Sequence, residues 1–461
     1  MKIAKINNKH IVQEFLRFDP TFHLSDSIQL KEILSVQPYR LSTVGEQSKD
    51  IFFGNIFSRI FVQDEKFGVP YMTASDMMKS DINSGKFIAK RQAEKLHNLI
   101  IKKDWILISC SGTLGNVIYT NELFENKMGT HDLIRIIPQN GEVKSGFLYA
   151  YLASKYGYTL LTQSSFGGVI KHINPEHVAN IPVPIFPQEK QEQIHNLITE
   201  ATQLRVEANR LLEEAVEMLS NFIGLDFQEK EKLSGKVSLK EIYQSLSTRI
   251  DPPTFINNGV KAMEIIRDSG RELVSLSEID GITVYRPGIF KRNYVEKGLP
   301  YIKGSELFNI NPFVRCDNLS KTKTPFVDEM ALKENQILIT CAGSCGLVKV
   351  ITKEYEEREA IGSQDIIRLQ SENVLFTSEY LFVYLQLPFV YDYIQSMKYG
   401  SVIERIEPFH VQSIPVVVPT EELSANITSL ITNYKNNVYQ AFSNENQAIS
   451  LVENEIALWQ S

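Results

Sequence analysis

Five segments of this chain occur twice, in the same order, displaced by 230 to 233 residues. RFDPTF from Arg17 returns as RIDPPTF from Arg249, VPYMTASDM from Val69 as LPYIKGSEL from Leu299, and DWILISCSGTLGNV from Asp104 as NQILITCAGSCGLV from Asn335. GTHDLIRI from Gly129 returns as GSQDIIRL from Gly362, and FGGVIKHINPEHVANIPVP from Phe166 as YGSVIERIEPFHVQSIPVV from Tyr399. Chance similarity of short segments does not preserve both order and spacing, so the chain is internally duplicated. The repeated unit far exceeds the about 20–50 residues of solenoid repeats and is therefore a whole domain used twice. A length of 461 residues, with 43% hydrophobic and 22% charged residues, allows each copy its own core.

Within each copy, ILIS or ILIT followed by SGTLG or AGSCG reads as a buried strand ending in a Gly-rich turn, and LIRII or IIRLQ as another strand. FLYAYLASKYGYTLL and its counterpart EYLFVYLQLPFVYDYI carry apolar residues at helical spacing and are expected to lie across the sheet.

Each copy closes on a Pro-bounded exit, IPVPIFP before Gln188 and IPVVVP before Thr420, followed by a polar, helix-favouring run. In the first run Ile194, Leu197, Ala201, Leu204, Ala208, Leu211, Ala215, Met218 and Phe222 step alternately by three and four, the mark of a heptad seam. The second run places Ile427, Leu430, Tyr434, Asn437, Ala441, Asn444, Ala448, Leu451 and Glu455 at the corresponding positions, flanked by Ile431, Val438 and Val452. Asn437 and Asn444 would fix register at a cost in stability. A helix from Gln188 to Gly224 would be about 55 Å long at 1.5 Å per residue and needs its seam covered. The other helix is the natural cover; the alternative is that each helix packs on its own domain.

A net charge of −7 argues against binding nucleic acid through a uniformly basic surface, although local patches remain open. Cys110, Cys316, Cys341 and Cys345 are too few and too irregularly spaced for a disulfide framework, which points to a reducing compartment. The opening MKIAKINNKH has no sustained apolar run, and nowhere is there an apolar stretch long enough to span a membrane, so a cytoplasmic protein is expected.

Catalytic chemistry finds little support. Asp251-Pro252-Pro253-Thr254 lacks the aromatic residue of an amino-methylating loop and reads as a turn or a lead into a helix. Cys341 and Cys345 have no further ligands at metal-binding spacing and read as buried thiols. His177 and His410 occupy equivalent places after a proline and read as structural, while His131, opposite Gln364, is a candidate base contact. The Gly-rich turns lack the Lys-Ser/Thr ending of a phosphate-binding loop, yet their amides can approach a DNA phosphate, with Thr113 and Ser344 in the turns themselves. The run EKEKLSGK from Glu229 reads as a solvated linker.

The combination of the ILI(S/T) strand, the Gly-x-x-Gly turn, the closing Ile-Pro-Val-Pro and PQEKQEQI opening a long helix, present twice, resembles the specificity subunits of type I restriction-modification systems over nearly the whole chain. The resemblance implies a mixed α/β (α+β) protein with two pseudo-symmetric target-recognition domains, 1–186 and 225–418. Two long helices, 187–224 and 419–461, would form an antiparallel coiled coil. It further implies a non-catalytic, sequence-specific DNA-binding role in phage defence, with a bipartite double-stranded target whose gap the helices set. Two methyltransferase subunits, which themselves bind S-adenosylmethionine, would dock, and motor-nuclease subunits would join for cleavage.

Candidate DNA contacts are taken from divergent polar positions of the repeat: Thr73 and Ser75 opposite Lys303 and Ser305, and Lys171 and His172 opposite Glu404 and Arg405. Arg59 and Arg292 are candidate phosphate contacts, which position without specifying. Two other classes stay open on the residues alone: a diverged DNA methyltransferase or nuclease, and a coiled-coil protein–protein scaffold.

Overall fold

The computed structural model describes residues 30, 33–34, 37–139, 141–163, 172–225, 235–245 and 249–459. The Arg17 motif, Lys171 and most of the run from Glu229 lie outside the described residues. The chain divides into two compact units, Met1–Val206 with Gln440–Ser461, and Glu207–Tyr439.

In unit 1 the larger sheet has the order β2-β9-β6-β7, from Ser48–Phe52, Leu133–Pro138, Ile106–Ser109 and Val117–Tyr119. The smaller sheet runs β3-β5-β4-β8, from Phe61–Val62, Phe87–Ala89, Gly68–Met72 and Met128–Gly129, with β8 parallel to β4. A third pairing joins β1 (Leu41–Thr43) to β10 (Pro182–Pro184), so the incoming and outgoing strands of the domain lie side by side. Prolines are tolerated there because the pairing has no further strand to satisfy.

Unit 2 repeats this topology strand for strand. β12-β19-β16-β17 are Ile282–Tyr285, Ile366–Ser371, Ile337–Thr340 and Val348–Val350. β13-β15-β14-β18 are Tyr294–Val295, Asp317–Leu319, Leu299–Ile302 and Ile361–Gly362, and β11 (Leu273–Ser275) pairs with β20 (Pro415–Val417). Even the register is kept: Leu107 faces Arg135 in one copy and Leu338 faces Arg368 in the other. The ILIS and ILIT strands are buried along their whole length because both faces are covered, which is why they show no period-two alternation.

The apolar stretch expected to run as a helix across the sheet is two helices in each copy. In unit 1 these are α1 (Ser145–Ala153) and α2 (Lys155–Gln163), in unit 2 α4 (Ser378–Gln386) and α5 (Pro388–Ser396). The break falls at Ser154 and Leu387, both extended; Leu387 precedes a proline, which disfavours helical geometry there. Gly157 then lets the chain fold back, since a Cβ on it would lie 2.2 Å from the Tyr151 carbonyl oxygen.

The long helices are α3, Gln188–Ile223, and α6, Glu421–Leu458. In unit 1, Ile194 and Ile198 of α3 share a core with Ala448, Val452 and Ile456 of α6. In unit 2, Ala208, Leu211, Ala215, Leu219 and Ile223 share one with Ile427, Ile431 and Tyr434. The start of each helix thus lies with the end of the other, an antiparallel coiled coil. The two expectations for the helices combine, because each of these cores also contains the sheet and helices of its own domain.

The seam itself needs correction. Ile194, Ala201, Ala208, Leu211, Ala215, Ile427, Tyr434, Ala441 and Ala448 are buried as expected, but Leu197, Leu204, Met218, Phe222, Leu430 and Leu451 are only half-buried flanking residues. Ile198, Leu219, Ile223, Ile431 and Val452 hold the inner places. A strict 3.5 repeat describes a helix that meets one partner; these helices also meet a domain, which widens and rotates the buried stripe toward the 3.6 period. Asn444 is buried and accepts from Gln440 Nε2 at 2.7 Å, Asn437 is half-buried, and Glu455 lies at the edge, where Lys190 and the Tyr39 hydroxyl reach it.

Among the described residues, no helix is long and apolar enough to cross a membrane.

Candidate nucleic-acid interface

The Gly-x-x-Gly turns follow β6 and β16. Gly112 and Gly343 have φ of +71° and +72° with nothing near a would-be Cβ, so backbone conformation alone demands glycine there. The last strand residue closes each turn: the Ser109 hydroxyl donates to the Thr113 carbonyl at 2.6 Å, and the Thr340 hydroxyl donates to the Ser344 carbonyl. Thr113 and Ser344 are consequently held exposed at the turn.

Around the second turn the structure gathers the candidate residues of unit 2. Arg292, Lys303, Ser305 and Ser344 line one open cleft of about 410 Å³ together with Tyr301 and Asp365. Arg405 stands beside it, bridged to Ala342, with its guanidinium 3.8 Å from the Asp365 carboxylate. Arg292 Nε donates to the Tyr301 hydroxyl at 2.8 Å, which raises the arginine pKa and aims its remaining donors. Lys303 is not an unengaged reader: its ammonium lies 2.5 Å from Asp317 and 3.5 Å from Glu306, and the Asp317 contact holds its pKa up.

Unit 1 builds the same frame. Arg59 Nε donates to the Tyr71 hydroxyl at 2.6 Å and its Nη2 to Thr130 Oγ1 at 3.3 Å. The Thr73 and Ser75 hydroxyls are 3.0 Å apart, and Asp76 accepts from both the amide and the hydroxyl of Thr73. Glu306 accepts from the Lys303 amide in the same way, so an acidic residue ties this bend in both copies. His172 is bridged to Ser111, as Arg405 is to Ala342. His131 lies against Phe57, with Nε2 3.3 Å from the Asp132 carboxylate.

Several members of the site were not foreseen from sequence: Tyr71 and Tyr301, Asp132 and Asp365, Gln364, and the buried Arg135 and Arg368. The two tyrosines sat in the duplicated VPYMTASDM and LPYIKGSEL; the signal for the others lay in the duplicated GTHDLIR and GSQDIIR, where the ends agree and the middle differs. His131 Nδ1 and Gln364 Oε1 occupy that middle, and each is a buried polar atom without a partner among the described residues.

The other motifs have structural partners. His177 Nε2 meets the Leu160 carbonyl at 2.9 Å, and His410 Nδ1 accepts from the Glu407 amide at 3.0 Å, with burial holding the His410 pKa down. Asp251 leads a short 3-10 turn over Pro252–Thr254 and is paired with Arg249. All four cysteines are unbridged; burial pushes the Cys110 thiol up to about 12 and Cys341 to about 11, unsuited to nucleophilic work.

The family described as Type I restriction modification DNA specificity domain matches residues 47–218 and 272–449. Among solved structures, the type I restriction-modification S subunit from M. genitalium is 14% identical, with 91% of this chain and 95% of that chain covered and a TM-score of 0.36. The HsdS subunit from Thermoanaerobacter tengcongensis is 15% identical, with coverage of 91% and 97% and a TM-score of 0.27. Similarity of that degree leaves the assignment resting on the sequence match, which spans most of both copies. The chain therefore belongs to the type I restriction-modification DNA specificity family, carries its domain twice, and is a DNA-recognition subunit of such a system.

Proposed function

We propose that the chain reads a two-part duplex target, one half with each duplicated domain, and leaves bond-making to partner subunits. The observation that carries this is the paired cluster: an arginine on a tyrosine hydroxyl, a Gly-x-x-Gly turn and an aspartate recur at equivalent places, while the residues among them differ. Constant groups suit the phosphate backbone, which is the same everywhere; divergent groups suit base edges, which are not. Arg59 and Arg292 are the backbone contacts in this reading. Thr73, Ser75, Thr113, His131, Lys171 and His172 face one half-site, and Lys303, Ser305, Ser344 and Arg405 the other.

An antiparallel pair of helices gives the chain an internal near two-fold repeat, suited to two copies of one methyltransferase subunit. Those subunits bring S-adenosylmethionine, and the helices set the gap between half-sites. The complex works in the cytoplasm.

The test is an exchange of residues 1–186 for another reader, assayed in complex with methyltransferase subunits by sequencing methylated sites. One half of the target is expected to change, with the other half and the gap kept. A change in both halves, or methyl transfer by the isolated chain, would overturn the reading.

A further inference from the structure

Arg135 on β9 and Arg368 on β19 are fully buried and hold the same place in the two copies. Every hydrogen bond either makes among the described residues goes to a main-chain carbonyl. Arg135 donates to Leu133 at 2.8 Å, Gly129 at 3.0 Å, Thr130 at 3.2 Å and Leu99 at 3.3 Å. Arg368 donates to Ile366 at 2.6 Å, Gly362 at 2.8 Å, Ser363 at 3.1 Å and Met330 at 3.4 Å. Burial pushes both guanidinium groups down to about 10, which leaves them charged at neutral pH.

A buried cation is costly, and an apolar side chain would serve a core better. The geometry shows what the cation does instead. Residues 130–132 cross from the smaller sheet to the larger: the Thr130 amide bonds the Met72 carbonyl on one side, and the Cys110 amide bonds the Asp132 carbonyl on the other. Residues 363–365 cross identically, through Ser363 to Ile302 and Cys341 to Asp365. Three of the four carbonyls that each arginine takes lie in this crossing or directly flank it, and a planar fork of donors can take several at once. Gly129 and Gly362 belong to the device. Neither has a positive φ, but a Cβ on them would come within 2.7 and 2.9 Å of the arginine Nη2.

We propose that Arg135 and Arg368 are positioning residues for target reading, each holding from beneath the loop whose central side chain, His131 or Gln364, differs between the two readers. This rests on those loops facing DNA. Lysine in their place keeps the charge but loses the fork, and alanine at the glycine keeps the arginine but displaces it.

The experiment selects bound duplexes, randomised across both half-sites, with the full chain assembled with its methyltransferase subunits, and sequences them. Arg135→Lys and Gly129→Ala are each expected to reduce base discrimination in the first half-site about tenfold and leave the second unchanged; Arg368→Lys and Gly362→Ala do the reverse. A merely structural role lowers the amount of active complex without altering base preference. Unchanged preferences in whichever of the four variants assemble would overturn the proposal. His131→Ala separates the two levels of inference. If it alters first-half preference while Arg135→Lys and Gly129→Ala do not, positioning alone is refuted; if it alters nothing, the DNA-facing reading of the loop falls and the proposal with it.

Discussion

Unit 1 and unit 2 share strand order, register and turn geometry, yet satisfy buried charge beneath the long helices in different ways. In unit 1 Glu445 of α6 accepts from the Tyr149 hydroxyl of α1 and pairs with Arg205 of α3. In unit 2 the residue matching Tyr149 is Phe382, stacked on Tyr434 at 6.0 Å, and the buried pair is Lys435 with Glu379, extended to Asn335. Asn335 itself matches Asp104, and both keep a left-handed backbone, φ +68° and +62°. Backbone requirements have thus outlasted duplication, while the side-chain networks beneath the long helices were rebuilt. A buried network works only when all its members are present, so each helix end is suited to its own domain.

That difference can be tested one unit at a time, because Trp105 and Trp459, the chain's two tryptophans, both belong to unit 1 and their fluorescence follows its unfolding. The largest effect is expected from Glu445→Ala, which removes the buried carboxylate shared by Arg205 and the Tyr149 hydroxyl and should cost about 3–5 kcal/mol in denaturant titration of unit 1. Lys435→Met should cost a similar amount but chiefly in hydrogen exchange of unit 2, with a small change in tryptophan signal. Equal losses by both probes in either variant would mean that the networks are not separate.

The revised helix seam comes next. Leu219→Ala should cost about 2–5 kcal/mol and Met218→Ala about 1 kcal/mol or less, measured by hydrogen exchange of unit 2. The reverse order would restore the strict heptad. Gly112→Ala and Gly343→Ala should each cost about 1–2 kcal/mol, alike in the two units, because neither site is crowded and only the left-handed backbone is penalised. Smallest is the loss from Arg59→Ala or Arg292→Ala, about three- to fivefold in DNA affinity for all sequences alike, with a shallower salt dependence. A change in base preference from either would move that arginine from the constant part of the site to the divergent part.

The duplication was readable because it is written in buried strands and turns, where sequence and backbone are tightly bound together. The helices were readable in extent and pairing but not in face: Ile198 and Leu219 replace Leu197 and Met218 because the buried stripe answers to a domain as well as to a helix, and no repeat within the helix encodes that second partner. Surface candidates were found one by one, but their engagements were hidden. Asp317 reaches Lys303 through the pairing of β15 with β14, which no spacing announces. Arg135 and Arg368 left a trace, a charged residue interrupting an apolar strand in both copies, yet their partners are main-chain carbonyls, which have no letter in the sequence.

The pairing of β1 with β10, and of β11 with β20, gives each domain adjoining ends. Each domain's chain enters and leaves through this two-strand clasp, whose ladder pairs main-chain groups, while its core packs on the long helices. A foreign segment with matching strand ends would preserve this clasp, but it leaves the helices satisfied only if it also brings partners for Glu445 and Arg205, or for Lys435, so a new reader must fit the rods as well as the clasp.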